Sequence, residues 1–242
     1  MSKSTFGFLR SLNQAPALAQ SYSGDSHVFP SKIVAKYFTS NRLTDRLIRD
    51  LVESHILQWK EILESFEFFE QTRKYIRRPR IAEVCCGHGL IGVLYAMLEE
   101  EVDEVLLTDV QIPPSQARVI SAASALAPWI DRKLTVADKE ITETHALVNP
   151  DTSIVSSHGC GALTDQAIDL GISTRGSVAV MPCCCHPRSP DAPEVLYREL
   201  GIKDGVDVYR TYKLHAAGRR VLWRYIPEAI TPMNRILIGA VA

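Results

Sequence analysis

All six cysteines and three of the seven histidines sit in three short stretches that also carry glycine or proline: Glu83-Val84-Cys85-Cys86-Gly87-His88-Gly89, Ser156-Ser157-His158-Gly159-Cys160-Gly161-Ala162-Leu163-Thr164-Asp165 and Met181-Pro182-Cys183-Cys184-Cys185-His186-Pro187. A thiolate is a nucleophile or a metal ligand, and imidazole exchanges a proton near neutral pH. A zinc site needs four nitrogen or sulfur ligands in a tetrahedron, whereas neighbours such as Cys183 and Cys184 point apart and no C-x-x-C spacing occurs, so no metal ligand is assigned. Covalent catalysis by a Pro-Cys thiolate at a strand end is a further chemistry, although neither cysteine loop otherwise has the pattern of a base-attacking enzyme. His158, Cys160, Asp165, Cys183, Cys184 and His186 are the candidate catalytic residues. Cys85, Cys86 and Cys185 also fit plain packing of small, soft side chains.

The first stretch ends a strand in an acid and continues into glycines two apart, and glycine is required where a ligand must approach backbone that a side chain would obstruct. With Gly92 it spells G-x-G-x-x-G, so a nicotinamide or flavin dehydrogenase is one reading. Glu83 ahead of the glycines argues for a different ligand, because a carboxylate repels a pyrophosphate but meets the amino-acid portion of S-adenosylmethionine, directly or through water. Asp109, 20 residues after Gly89, suits both ribose hydroxyls, and Asp138 after the third strand suits an adenine amino group. The expected cofactor is S-adenosylmethionine, held by Glu83, Cys85, Gly87, His88, Gly89, Asp109 and Asp138. Cys85 stands where a first glycine is common, which predicts a different path for the methionine tail. The plain alternative makes Asp109 and Asp138 helix caps and the glycines turn residues.

The elements that must position these loops follow from periodicity. Strand-like runs at Arg80 to Val84, Val105 to Asp109, Leu134 to Ala137, Ser153 to Ser157 and Ser177 to Met181 alternate with helical runs at Leu90 to Glu100, Pro114 to Ala127, Lys139 to Leu147, Thr164 to Leu170 and Ala192 to Leu200. Such alternation predicts a mostly parallel sheet with crossover helices, whose loops open on the carboxyl edge where ligands bind. Val221 to Tyr225 and Arg235 to Val241 flank the turn-like Ile230 to Asn234 and predict a closing antiparallel hairpin. The fold class expected is α/β, a Rossmann-like class I methyltransferase sheet with an N-terminal helical cap. Residues 1–30 read as a disordered or targeting-like tail, 31–79 as the cap and 80–242 as the methyltransferase domain.

Of the 242 residues, 46% are hydrophobic and 23% charged, which is ordinary usage for a globular chain, and no apolar run reaches the roughly 18 residues of a membrane span. The net charge of -1 conceals a division: 1–80 and 161–242 are basic, and 81–160 carries 4 Lys and Arg against 12 acids. Arg73 to Arg80 and the acid-free stretch Arg210, Lys213, Arg219, Arg220 and Arg224 could follow a phosphate backbone, so RNA is a candidate acceptor and partner. Cysteines confined to three sites suit a reducing compartment, here the cytoplasm. The first 24 residues hold no acid and five serines, a composition shared by transit peptides, which keeps an organelle as the alternative.

Together the Glu83 to Gly89 loop, the His158-Gly-Cys-Gly…Thr164-Asp165 segment, the Pro182-Cys-Cys-Cys-His186 segment and the closing Thr231-Pro232-Met233-Asn234-Arg235 resemble the Rossmann-like methyltransferase group that includes the eukaryotic tRNA acceptor-stem 2′-O-methyltransferase. The resemblance covers roughly residues 80–186 and implies S-adenosylmethionine use and an RNA substrate. The tRNA enzymes carry N-terminal zinc modules, whereas this chain has no cysteine before Cys85. Two other classes remain at this point: a catalytically silent methyltransferase-like binding module, and a metal or redox protein using the cysteine rim.

Overall fold

The computed structural model describes residues 5–14, 31–182 and 192–241. Seven strands form one sheet: β1 (Arg80–Val84), β2 (Glu104–Asp109), β3 (Leu134–Asp138), β4 (Ser153–Ser156), β5 (Val178–Val180), β6 (Arg220–Tyr225) and β7 (Arg235–Ala240), in the order β3-β2-β1-β4-β5-β7-β6. The first five are parallel and β7 runs antiparallel between β5 and β6. This is the expected Rossmann-like methyltransferase sheet with its closing hairpin. Strand order reverses between β1 and β4, and in a parallel sheet the crevice beyond such a switch point receives ligands. β4 and β5 are buried throughout and β1 at every residue but Arg80, because helices cover both faces.

Helices α1 (Ser31–Tyr37), α2 (Leu43–Glu53) and α3 (Trp59–Ile76) occupy the predicted cap. A capping box between Gln58 and Glu61 starts α3, satisfying amides that the first turn leaves open. Phe66, Phe68, Phe69 and Thr72 of α3 are fully buried. The Tyr95 ring meets Phe69 edge-on at 4.9 Å, and its hydroxyl shares a 2.7 Å hydrogen bond with Thr72. Leu47 and Phe69 therefore belong to one core with Ile81 and Ile238 of the sheet, so the cap is a layer of the same domain.

Residues 5–14 correct the expectation of a loose tail. Phe6, Leu9 and Leu12 are buried, and the amides of Gly7, Phe8 and Leu9 donate to the Glu67 carboxylate at 2.7, 3.0 and 2.9 Å. One buried acid on α3 thus gathers a turn of chain whose amides would otherwise lack partners.

The crossover helices are α4 (Leu90–Leu98), α5 (Pro114–Leu126), α6 (Ile141–Thr144), α7 (Ala162–Ser173) and α8 (Glu194–Ala216). α6 is one turn where nine residues were expected, since only Ile141 and Thr144 are buried and Asn149-Pro150 leads away. α8 continues through a break at Gly201 (φ +75°) far beyond the expected end at Leu200. Its second half was missed because its buried face includes Asp207 and Arg210, residue types that read as surface.

Candidate active site

The loop after β1 is held in left-handed backbone at Cys85 (φ +51°), Gly87 (φ +50°) and Gly89 (φ +68°). Cys85 thus keeps the left-handed conformation that a glycine adopts readily. A side chain at Gly87 would meet nothing within 4 Å, so this residue opens on free space, whereas one at Gly89 would meet Leu107 at 2.9 Å. Gly92 is a packing residue, its missing side chain leaving room for Leu107, Val105 and Glu83. From below, the Gln116 amide donates to Gly87 O at 2.9 Å and to Cys86 Sγ at 3.2 Å. Sequence reasoning passed over Gln116 because it sits inside an ordinary helix.

Asp109, ending β2, accepts the Gly87 amide at 2.8 Å and the Gln111 amide at 3.2 Å, which fixes its carboxylate beside the loop. Glu83 is 2% exposed and accepts the Gly92 amide at 2.7 Å. It is not among the residues that line the cavity described below. Its carboxyl instead occupies an amide of the first turn of α4, where dinucleotide folds seat a phosphate. Burial pushes Glu83 up to about 8.

A cavity of about 690 Å³ opens at the carboxyl edge, within the 300–1,000 Å³ range of small-molecule sites. Cys85, Gly87, His88, Asp109, Val110, His158 and Leu163 line it, with Glu61 of α3, Gln166 of α7 and Lys139, Glu140 and Ile141 beyond β3. Asp138 pairs in register with Asp109, is exposed, and is not among the residues that line this cavity. Lys139 to Ile141, which do line it, are residues that the sequence did not single out.

His88 is 8% exposed, and its Nδ1 accepts the Leu90 amide at 3.1 Å. The neutral ring therefore carries its proton on Nε2, a buried atom with no hydrogen-bond partner among the described residues. Burial lowers His88 to about 3, so it stays neutral at physiological pH. The His158 ring lies 6.5 Å away, inclined at 70°. Its side chain is 37% exposed, and its Nε2 lies 3.8 Å from Oε2 of Glu64, an α3 acid hidden among phenylalanines.

Cys85 and Cys86 behave as packing thiols: burial pushes Cys85 up to about 11 and raises Cys86 further. Cys160 is exposed next to Gly161. Asp165, expected to be catalytic, is instead buried in a two-nitrogen ion pair with Arg210, which corrects that role and also removes Arg210 from the basic surface. Gly161 precedes α7, and the Thr164 hydroxyl donates to Gly159 O, tying the loop to the first turn of the helix. Cys183, Cys184, Cys185 and His186 lie outside the described residues. Among the described residues no three His, Cys, Asp or Glu side chains form a metal-binding group.

The donors and acceptors fit S-adenosylmethionine. Asp109 presents a carboxylate to the cavity as ribose hydroxyls would require, Gly87 leaves its approach clear, and the buried Nε2–H of His88 has, among the described residues, no acceptor such as a bound carboxylate or hydroxyl would supply. Leaving such a donor unpaired costs about 1–3 kcal/mol, which a ligand recovers.

Among solved structures the chain is similar to a protein from Klebsiella pneumoniae assigned as an O-methyltransferase, at 13% identity, with 93% of this chain and 100% of that one covered and a TM-score of 0.52. It is also similar to a SAM-dependent methyltransferase from Aquifex aeolicus, at 16% identity, with 77% and 96% covered and a TM-score of 0.46. The first likeness bears on the fold alone. No curated protein matches the sequence. The family model described as a methyltransferase domain matches residues 58–188, from the residue that caps α3 to just past the third cysteine stretch, which is more than half of the chain. The chain therefore belongs to the methyltransferase domain family, as an S-adenosylmethionine-dependent methyltransferase.

Proposed function

We propose that this methyltransferase delivers the methyl group to a nucleophile that carries a removable proton and is seated beside His158 and Cys160. The observation that carries the reading is the pairing of a permanently neutral donor, His88, with a half-exposed imidazole, His158, 6.5 Å away on one cavity wall. S-adenosylmethionine supplies an electrophilic methyl group on a sulfonium. Displacement there needs alignment of the acceptor and removal of its proton, and little covalent help. His158 takes the proton, Asp109 and Gly87 hold the ribose side of the donor, and His88 donates its Nε2–H to the donor's tail or to the acceptor. Confinement of the cysteines to three sites supports a reducing, cytoplasmic setting.

RNA is the acceptor class we favour, on the sequence resemblance to the tRNA acceptor-stem enzyme and on a cluster of cations. Lys74, Arg78, Arg175 and Arg220 are exposed, and none has an acid partner among the described residues. These cations border clefts at the amino edge of the sheet, where Arg80 starts β1 and Arg220 pairs with Ala240. That edge is opposite the cavity, so an RNA held there would have to extend about 15–20 Å along the strands to present its acceptor. Other cations of the two basic stretches are engaged: Arg73 with Glu99, Arg80 with Glu104, Lys213 with Asp169, and Arg219 with the last carbonyls of α7.

A second reading follows from the cavity itself, whose lining includes the acids Glu61, Asp109 and Glu140. Such a mouth suits an uncharged or cationic acceptor, such as a protein side chain or an amine. Incubation with methyl-labelled S-adenosylmethionine and a fractionated extract separates the two. Label entering RNA, with binding that weakens steeply as salt rises and a salt slope reduced by about one per cation in Arg78→Glu and Arg220→Glu, supports the first. Label entering protein or small molecules, with a flat salt response, overturns RNA and supports the second.

A further inference from the structure

Besides Glu61, which lines the cavity, helix α3 places a second carboxyl beside His158. The Glu64 side chain is 6% exposed, with Oε2 at 3.8 Å from His158 Nε2 and Oε1 at 3.7 Å from Lys60 Nζ. Burying a carboxyl costs stability unless something compensates it. Three residues along the same helix, Glu67 is compensated by the three amides of residues 7–9. Glu64 gathers no such set of amides among the described residues. It faces an imidazole on one side and, on the other, a lysine that is itself 43% exposed.

We infer that Glu64 is a positioning residue for His158, orienting the imidazole and stabilising the positive charge it acquires when the methyl acceptor gives up its proton. The inference rests on the reading of His158 as the base. As the bond from acceptor to methyl forms and the bond from methyl to sulfur breaks, sulfur leaves as a neutral thioether and the acceptor's proton passes to His158. The carboxylate then lies against an imidazolium, an arrangement in which opposite charges a few ångströms apart favour the charged form of both. A separation of 3.8 Å is ion-pair range and tightens readily once the acceptor is in place.

Among the described residues, the titratable groups facing this pair are Lys60 and Glu61 on α3, and His88 across the cavity wall. Burial pushes Glu64 up to about 7, while His158 falls below its ordinary value through burial and the Lys60 charge. Burial disfavours the charge on each, so a charge formed on either is offset by one on the other. Helix α3 is thereby part of the reaction centre, and the family match that begins at Gln58 includes that helix.

The test uses the full chain labelled with ¹⁵N-histidine, with His158→Ala to assign the signal, followed by long-range proton–nitrogen correlation from pH 4 to 9. Wild type and Glu64→Gln are each expected to show a His158 transition, the variant's at least about one unit lower, as removal of a nearby carboxylate predicts. Glu64→Asp, which keeps the charge, should restore part of the shift, whereas a packing role would favour Gln over Asp. Identical His158 curves in wild type and Glu64→Gln would overturn the inference. Calorimetry with S-adenosylhomocysteine is the second arm, and Glu64→Gln should bind it within about threefold of wild type because the carboxyl lies behind the imidazole. Absence of binding by wild type would instead bring down the cofactor site, whatever the titration gives.

Discussion

Arg210 clasps Asp165 through two nitrogens, Nε to Oδ1 at 2.8 Å and Nη2 to Oδ2 at 3.0 Å, and the same Nη2 reaches the Gly161 carbonyl at 2.9 Å. Both side chains are buried, and they join the far half of α8 to the first turn of α7. An acid that looks catalytic by its neighbours is thus a clamp on the turn that carries His158 and Cys160. The planar guanidinium fork is suited to this, since it satisfies a carboxylate and a turn carbonyl together.

Breaking that clamp from either side leaves a buried charge alone. Arg210→Ala and Asp165→Ala should each lose about 3–5 kcal/mol in urea unfolding. Because the pair acts as a unit, the double variant should lose less than the sum of the two. Losses below about 1 kcal/mol in both single variants would remove the clamp from the stability account.

Asp109 makes two kinds of contact from one carboxylate, holding the Gly87 amide and facing the cavity. Asp109→Ala should weaken S-adenosylhomocysteine binding by about 10- to 100-fold, the worth of a hydrogen bond to a charged group, while unfolding changes far less. Calorimetry on the two proteins side by side measures it, and unchanged affinity would place the ribose elsewhere.

The Gly92 contact with Leu107 is a matter of volume. Gly92→Ala should cost about 1–3 kcal/mol by overpacking. In a Leu107→Ala background the added methyl has room, so the same substitution should there cost little or be favourable. Equal costs in both backgrounds, read from denaturant midpoints, would show that Leu107 is not the obstacle.

The dependence of stability on pH has a sign set by two opposing groups. Glu83, raised to about 8, and Glu64, raised to about 7, hold protons in the folded state that the unfolded chain has already released, so stability falls as pH rises from about 4.5 toward 8. His88, lowered to about 3, works the other way: the unfolded chain binds the extra proton below about 6.5, so stability falls as pH drops toward 3. The urea midpoint should therefore peak between these limbs. Glu83→Gln keeps an oxygen for the Gly92 amide and removes the charge, so it should reduce the alkaline loss between pH 6.5 and 8.5 and leave the acid limb alone. An alkaline limb as steep as that of wild type would show that Glu83 is ionised in the folded protein.

The sequence by itself determined the sheet, its order of construction and the cofactor loop. Apolar runs of four to six residues broken by amphipathic helices admit few other arrangements, and the left-handed turn after β1 is written in Gly87 and Gly89. It also determined that His88, Asp109 and His158 would share one edge, because every loop that leaves the carboxyl end of a parallel strand does so. Only the tertiary structure decided which acids face the cavity. Glu83, Glu64, Asp138 and Asp165 read alike in one dimension, yet Glu83 is sealed under α4, Glu64 stands behind an imidazole, Asp138 points to solvent and Asp165 is taken by Arg210. Arg210 lies 45 residues along the chain from Asp165 on a half-helix without an evident apolar stripe, so their meeting depends on how α8 packs across α7. A carboxyl's partner is set by distances through space, and residue order fixes those only for neighbours on the same element.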